Sequence, residues 1–342
     1  MNEVKYILVT GGAGYIGSHT VVELYKNGYC PVIVDDFRNS HLSVIDRLEE
    51  ITEKKIIYRK IDVCEYRDFE KVFIEFSFVG VIHFAAYKAV GESVQSPLKY
   101  YKNNLLGLIN CLELAEHYHV HNIVFSSSCT VYGEPVGIKT VSEESEIQPA
   151  NSPYGNTKQI GEEIIDDLIK SGAKMKVLKL RYFNPVGAHE TGLIGELPLG
   201  KPNNLLPFVT QTGIGKQEQL TVFGNDYNTE DGTCIRDYIH VCDLADAHVK
   251  SIEWLEKQHG NLSEAVNIGT GKGTSVLEII HTFEKVSEST LNWKFGDRRE
   301  GDVEEIYGNV EKSSSLLNWK PTKTVKDAIF DAWNWELKLN ND

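Results

Sequence analysis

The sequence predicts a doubly wound parallel α/β sheet followed by a smaller C-terminal α/β domain. Through roughly the first 180 residues, short apolar runs alternate with helix-period segments, the pattern of a mainly parallel sheet covered on both faces. The first of these runs feeds directly into a glycine-rich turn. Beyond Arg181 the alternation loosens, with Gly- and Pro-rich stretches from 184 to 203, which predicts a second domain of different character.

Taken in order, Tyr6–Val9 reads as a buried strand. Thr10-Gly11-Gly12-Ala13-Gly14-Tyr15-Ile16-Gly17 follows, then a helical pattern from Ser18 to Asn27. Strand, glycine turn and helix set backbone N–H groups and a helix N-terminus against a pyrophosphate, the Rossmann-type arrangement. Gly11 permits the tight turn, Gly14 lets the backbone approach the phosphates, and Gly17 lets the helix pack on its strand. Pro31–Val34 is a second strand ending in Asp35-Asp36. A carboxylate there accepts from an adenosine ribose and repels a 2′-phosphate, favouring NAD over NADP; Arg38 stands close enough to meet a phosphate. Further strands are predicted at Lys55–Arg59, Val79–Phe84, Asn122–Ser126 and Met175–Leu180, with helices at 41–53, 66–76, 96–118 and 153–171. The strand-like runs Tyr238–Val241 and Ala265–Ile268 are expected to return to the first domain. The predicted division is therefore 1–183, with a returning segment near 237–270, and 184–342.

Ligands in such sheets bind at the carboxyl ends of the strands. There the chain gathers the glycine loop, Asp35, Asp62-Val63, Phe84-Ala85-Ala86, Ser126-Ser127-Ser128 and Tyr182-Phe183-Asn184. Tyr154 and Lys158 lie four residues apart, hence on one helix face. A tyrosine is a poor base at neutral pH, and a neighbouring ammonium is expected to lower its pKa toward the working range. A hydroxyl from the serine run can hold the reacting oxygen beside it. Arg236 in Ile235–His240 and Arg298-Arg299-Glu300-Gly301-Asp302 supply forks suited to diphosphate oxygens, with carboxylates beside them to hold ribose hydroxyls or orient the arginine. On spacing alone these are as consistent with surface ion pairs. Phe223 alone reads more readily as core, Asn184 as a local cap, and Asn103 as helix surface.

Composition narrows the class. The formal charge of −14 argues against a partner that is a nucleic acid or an anionic membrane. No run approaches the length of a membrane span, and the N-terminus enters the first strand without a signal-like segment. The six cysteines are scattered without zinc-like or Cys-x-x-Cys spacing, so reduced thiols, no metal site and a cytoplasmic location are expected.

Gly11–Gly17, Ser126–Gly133, Pro153-Tyr154-Gly155 with Lys158, and Arg181–His189 closely resemble the extended short-chain dehydrogenase/reductases. Phe223–Tyr227, Thr229–Thr233 and Arg236–Val241 narrow the resemblance to the UDP-glucose 4-epimerase family, over Tyr6 to about Pro321. The resemblance implies tightly bound NAD, a UDP-hexose substrate, a homodimer, and transient oxidation of the sugar at carbon 4. It implies that Tyr154, Lys158 and Ser128 are catalytic. NAD contacts are implied for Gly11, Gly14, Tyr15, Ile16, Gly17, Asp35, Asp36, Asn39, Ser40, Asp62, Val63, Phe84, Ala85, Ala86, Lys88, Asn103, Ser126 and Tyr182, together with Tyr154 and Lys158. UDP-sugar contacts are implied for Ser128, Tyr154, Asn184, Asn204, Leu205, Phe223, Arg236, Arg299, Asp302 and Ile306. Two departures stand out. Asn156 replaces a lysine carried by some members, a difference expected to be mild. Ile306 occupies a position beside the hexose where tyrosine excludes and small residues admit N-acetylated sugars. Isoleucine is intermediate, so UDP-galactose and UDP-glucose are the expected pair and N-acetyl sugars stay open. A 4,6-dehydratase is the alternative reading, but Cys129 and Thr130 stand where it needs an Asp-Glu pair. A UDP-glucuronate epimerase needs carboxylate-binding groups that cannot be placed, and a non-catalytic NAD-binding module would not need Tyr154, Lys158 and Ser128.

Overall fold

The computed structural model describes residues 4–135, 137–299 and 303–341. Its first half runs β1 (Tyr6–Thr10), α1 (Tyr15–Lys26), β2 (Cys30–Asp35), α2 (Ser43–Thr52), β3 (Ile57–Lys60), α3 (Tyr66–Glu75), β4 (Phe78–His83), α4 (Val90–Gln95), α5 (Pro97–His117), β5 (Asn122–Ser126), β6 (Thr140–Val141), α6 (Pro153–Lys170) and β7 (Lys176–Tyr182). The second half adds β8 (Asn184–Val186), α7 (Leu205–Gly213), β9 (Leu220–Phe223), β10 (Ile235–Arg236), β11 (Tyr238–His240), α8 (Val241–Glu256), β12 (Leu262–Ile268), β13 (Thr274–Ser275), α9 (Val276–Ser287), β14 (Trp293–Gly296), β15 (Glu305–Gly308), α10 (Glu311–Leu317) and α11 (Val325–Asn341).

Seven strands form one parallel sheet in the order β12-β7-β5-β4-β1-β2-β3. Its apolar runs are continuous because both faces are buried. Ile7, Val9 and Ile33 face a core shared with Val21 of α1 and Leu244 and Ile252 of α8. Leu8, Val32 and Val34 point the other way, into a core with Phe69 of α3, Leu108 of α5 and Ile165 of α6. The segment from α8 to β12 joins this sheet: β12 pairs with β7 from Leu262↔Lys176 to Ile268↔Tyr182. Strand order reverses between β1 and β4, which opens a crevice at their carboxyl ends.

The remaining strands build small sheets, β13-β10-β15-β6, β11-β8 and β14-β9. Helices α7, α9 and α11 pack beside them around Leu206, Val209, Ile280, Phe283 and Ile329. Tyr15 at the start of α1 donates its hydroxyl to the Gly187 carbonyl at 2.7 Å, joining the two regions across the crevice. The first helix begins at Tyr15 rather than Ser18, because Gly17 of the loop already lies in its first turn.

Candidate active site

The glycine loop fixes one wall. Gly11 has φ +69°, and a Cβ there would stand 2.9 Å from the Ala85 nitrogen. A Cβ at Gly17 would stand 2.3 Å from the Gly11 carbonyl oxygen, so this glycine lets the helix close on the loop itself rather than on the strand. Around Gly14 an added Cβ would meet only the Gly11 oxygen, at 3.2 Å, and no side chain caps α1. An open glycine at an uncapped helix N-terminus is a cradle for a dinucleotide pyrophosphate, so the residues fit that group. Asp35 ends β2 and accepts from the Ala13 and Phe37 backbone N–H groups at 3.0 and 2.9 Å and from Ser40 Oγ at 2.9 Å. Burial raises its pKa, and these donors act against the rise.

Arg38 is not available to a phosphate in the way its position suggests. It pairs with Asp36 at 2.5 Å and with Asp62, and donates to Tyr87 Oη at 3.2 Å and Asn103 Oδ1 at 3.3 Å. Two carboxylates on one guanidinium keep the local balance unfavourable to a 2′-phosphate. Val63 is buried, while Asn39 is exposed at the loop surface. Phe84, Ala85 and Ala86 continue from β4, Phe84 lying 4.7 Å from the His248 ring.

The central group forms where β5 and α6 meet. Ser152 caps α6 by accepting from Gly155 N at 3.1 Å, and Pro153 opens the first turn. This places Tyr154 against Ser128, whose hydroxyl favours the phenolate. Ser128 Oγ also accepts from Thr130 N at 3.2 Å, which fixes its orientation. Lys158 is buried, donates to the Ser126 carbonyl and lies 6.0 Å from the Tyr154 ring centroid. Tyr182 bonds the Ser126 hydroxyl.

The electrostatics correct one expectation. Burial pushes the Tyr154 phenol up to about 12, with the Ser128 hydroxyl opposing it. Lys158 does not lower it in this arrangement: its ammonium is turned to the Ser126 carbonyl, and desolvation outweighs attraction at that separation. Burial also lowers Lys158, to about 8, while Glu162 favours its charged form. Glu162 lies one turn beyond Lys158. It is held bidentately by Arg181 on β7, closest at 2.6 Å, and accepts from Ser127.

The far wall comes from the second half. Register places Arg236 opposite Ile306, which is buried among Val131, Tyr132, Val141 and Phe183. Arg236 Nη1 donates to the Ile235 carbonyl at 2.9 Å, and its charge reaches Cys129. The Arg299 guanidinium stands 4.7 Å over the half-exposed Phe223 ring. Asn184 opens β8, and its N–H donates to the Asp237 carbonyl at 2.9 Å. Asp237 itself is no ribose or arginine partner: its carboxylate accepts from Thr270 N, Thr270 Oγ1 and Gly271 N at 2.7 to 3.0 Å. Asn204 and Leu205 lie at the start of α7. Asp302 lies outside the described residues. Lys88 and Asn204, predicted on opposite walls, share Glu196, to which they donate at 2.9 and 2.6 Å.

Sequence reasoning missed Glu162 and Glu196. Tyr154, Lys158 and Glu162 follow an i, i+4, i+8 series, which could have flagged the first. Glu196 stands in an aperiodic stretch with no such signal.

The chain matches the GDP-mannose 4,6 dehydratase family model over residues 8–331. UDP-glucose 4-epimerase 2 of Arabidopsis thaliana is 47% identical over 334 residues, covering 97% of this chain and 95% of that protein. Two solved structures superpose over 98% of this chain and 99% of theirs. UDP-glucose-4-epimerase from Stenotrophomonas maltophila, with bound NAD and formylated UDP-arabinopyranose, is 40% identical with a TM-score of 0.95. UDP-glucose 4-epimerase from Bifidobacterium longum, in complex with NAD+ and UDP, is 41% identical with a TM-score of 0.94. With this full-length likeness added to the Rossmann-type sheet and the Ser128–Tyr154–Lys158 group, the chain belongs to the UDP-glucose 4-epimerase family of extended short-chain dehydrogenase/reductases.

Proposed function

We propose that the chain is a UDP-glucose 4-epimerase, interconverting UDP-galactose and UDP-glucose through a 4-keto sugar with tightly bound NAD. The observation that carries this is the Tyr154 phenol set against Ser128, with Lys158 one turn along α6 and its ammonium on the carbonyl of Ser126, which ends β5. When bound, NAD supplies a reversible hydride acceptor and a positive nicotinamide ring. Tyr154 takes the proton of the sugar 4-hydroxyl as carbon 4 is oxidised, and returns it once the 4-keto sugar has turned over. Ser128 donates to the phenolate and holds the sugar oxygen. Lys158 fixes the cofactor ribose and keeps its charge below about pH 8. Arg236 and Arg299 neutralise the diphosphate, Phe223 offers a face to the uracil, and Asn184, Asn204 and Asp302 complete the contacts.

Elimination is the disfavoured chemistry. Burial raises the Cys129 thiol to about 12, and the Thr130 hydroxyl is buried without a hydrogen-bond partner among the described residues. Neither is the carboxyl group that elimination needs at these two positions. At Ile306, a buried side chain of intermediate size supports the unmodified hexoses as the main pair and N-acetyl sugars as slower substrates.

No helix among the described residues is long and apolar enough to cross a membrane. Six free cysteines fit a reducing cytoplasm, and an exposed apolar stripe on α4 and α5 supports a homodimer.

The test is to mix purified protein with UDP-galactose, adding no cofactor, and measure UDP-glucose. Conversion is expected; none, even after NAD is supplied, overturns the reading. Tyr154→Phe is expected to lower turnover by about 10²–10⁴-fold with NAD still bound, and near-normal turnover would remove the tyrosine from the mechanism.

A further inference from the structure

Glu196 joins the two walls of the crevice through one atom. Its Oε1 accepts from Lys88 Nζ at 2.9 Å and from Asn204 Nδ2 at 2.6 Å. Its side chain is only 12% exposed, whereas Lys88 is 46% exposed. The segment is anchored from behind, because Trp335 Nε1 donates to the Glu196 carbonyl at 3.3 Å. Lys88 also stands 5.7 Å over the ring of Tyr15, the residue that opens α1. One carboxylate therefore holds a cation at the cofactor loop and a carboxamide at the start of α7.

The bond to Asn204 has a second consequence. Asn204 occupies the N-cap position of α7 with extended backbone, φ −89° and ψ 150°, yet its side chain makes no capping hydrogen bond. An asparagine there would ordinarily accept from the helix N–H groups. Pro207 lacks an N–H, so Leu205 and Leu206 carry the donors of the first turn. Glu196 engages the Asn204 amide nitrogen and turns the carboxamide away from them. Those donors are then left without a side-chain cap, and an uncapped helix N-terminus favours an anion.

We propose that Glu196 is a positioning residue that couples the two half-sites, setting Lys88 for the dinucleotide and Asn204 with the α7 N-terminus for the UDP diphosphate. The inference rests on the epimerase reading. Losing the carboxylate lets Asn204 cap α7 and compete with the diphosphate, and frees Lys88 from its place over Tyr15. The two losses are separable by chemistry: glutamine keeps an oxygen for Asn204 but removes the charge that holds Lys88.

The experiment measures UDP affinity by calorimetry and NAD retention after gel filtration in the purified NAD-bound protein and its Glu196→Ala, Glu196→Gln, Asn204→Ala and Glu196→Ala/Asn204→Ala variants. Glu196→Ala is expected to weaken UDP five- to tenfold and to lose NAD faster. Glu196→Gln, the milder change if alanine impairs folding, is expected to keep most UDP affinity and still lose NAD faster. In the Asn204→Ala background the effect of Glu196→Ala on UDP should vanish. Unchanged UDP affinity and NAD retention in both single Glu196 variants, or an equal UDP loss with and without Asn204, would overturn the coupling alone. An unaltered chain that binds no UDP would overturn the coupling together with the epimerase reading.

Discussion

Lys158 carries its charge in a buried place, and that has a thermodynamic signature apart from turnover. Burial lowers its pKa from 10.5 to about 8 in the fold, whereas the unfolded chain keeps an ordinary lysine. Between these values the unfolded state binds the proton and the folded state does not, so stability rises with pH across that window. Below about pH 8 both states are charged and the fold bears the desolvation cost. A shift of this size corresponds to roughly 3 kcal/mol. Lys158→Met removes the titration but also the hydrogen bond to the Ser126 carbonyl, so its stability at one pH is ambiguous and the pH slope is the informative quantity. Denaturant unfolding of the two proteins is expected to show wild type gaining about 3 kcal/mol on the variant from pH 8 to pH 10.5; a constant difference would mean that Lys158 is not desolvated. The Tyr154-Lys158 pair was legible from spacing alone. Its electrostatic state was not, because spacing says which groups share a face and nothing about the Ser126 carbonyl or the burial that decides their pKa values.

At the scale of elements, α6 is fastened to β7 by a charge pair in the core. Arg181 and Glu162 side chains are each only 6% exposed. Arg181 also donates to Tyr132 Oη at 3.2 Å, and Tyr132 donates onward to Asn267 Oδ1 on β12 at 2.6 Å. A buried pair need not stabilise relative to apolar residues, but breaking it leaves an uncompensated charge at a cost of about 3–5 kcal/mol. Glu162→Gln is therefore expected to lower the unfolding free energy by that order. It should also depress the Lys158 pKa further, since Glu162 favours the ammonium. Replacing both partners with leucine and methionine should recover most of the stability but leave Lys158 depressed. Calorimetric unfolding and the pH slope above separate the two effects, and a Glu162→Gln protein as stable as wild type would show that the pair is dispensable. The strands of the large sheet were readable because two-sided burial leaves runs such as Ile7-Leu8-Val9 and Val32-Ile33-Val34 wholly apolar. The two-residue strands β6, β10 and β13 are too short to carry a period. They form only because distant segments meet, so Arg236 opposite Ile306 could be placed only by the fold.

On the whole molecule, the surface least like that of a monomer lies along α4 and α5. Leu98 is 80% exposed and Val94 60%, with Val90, Leu106 and Ile109 also exposed. At 100° per residue, Leu98, Leu106 and Ile109 span about 80° of α5, while Leu108 and Leu112 are buried in the core against the sheet. An apolar stripe on a long helix, continued by a second helix at its N-terminal end, suits a twofold contact with the same helices of another copy. The formal charge of −14 on each chain opposes that contact through long-range repulsion. Salt screens the repulsion and leaves apolar burial intact. A homodimer held this way should tighten as salt rises, opposite to one held by ion pairs. Leu98→Glu combined with Ile109→Glu changes only exposed positions, so the chain should keep its fold. Light scattering is expected to report twice the chain mass for wild type and a single chain for the double variant, with unchanged circular dichroism. A wild type that is monomeric at all salt concentrations, or a double variant that remains dimeric, would place the stripe outside any interface between copies. Since Glu92 and Lys99 at the α4–α5 junction reach Tyr100 and the Tyr87 ring behind the cofactor loop, separation of the subunits should also hasten NAD loss, a second readout from the same gel filtration.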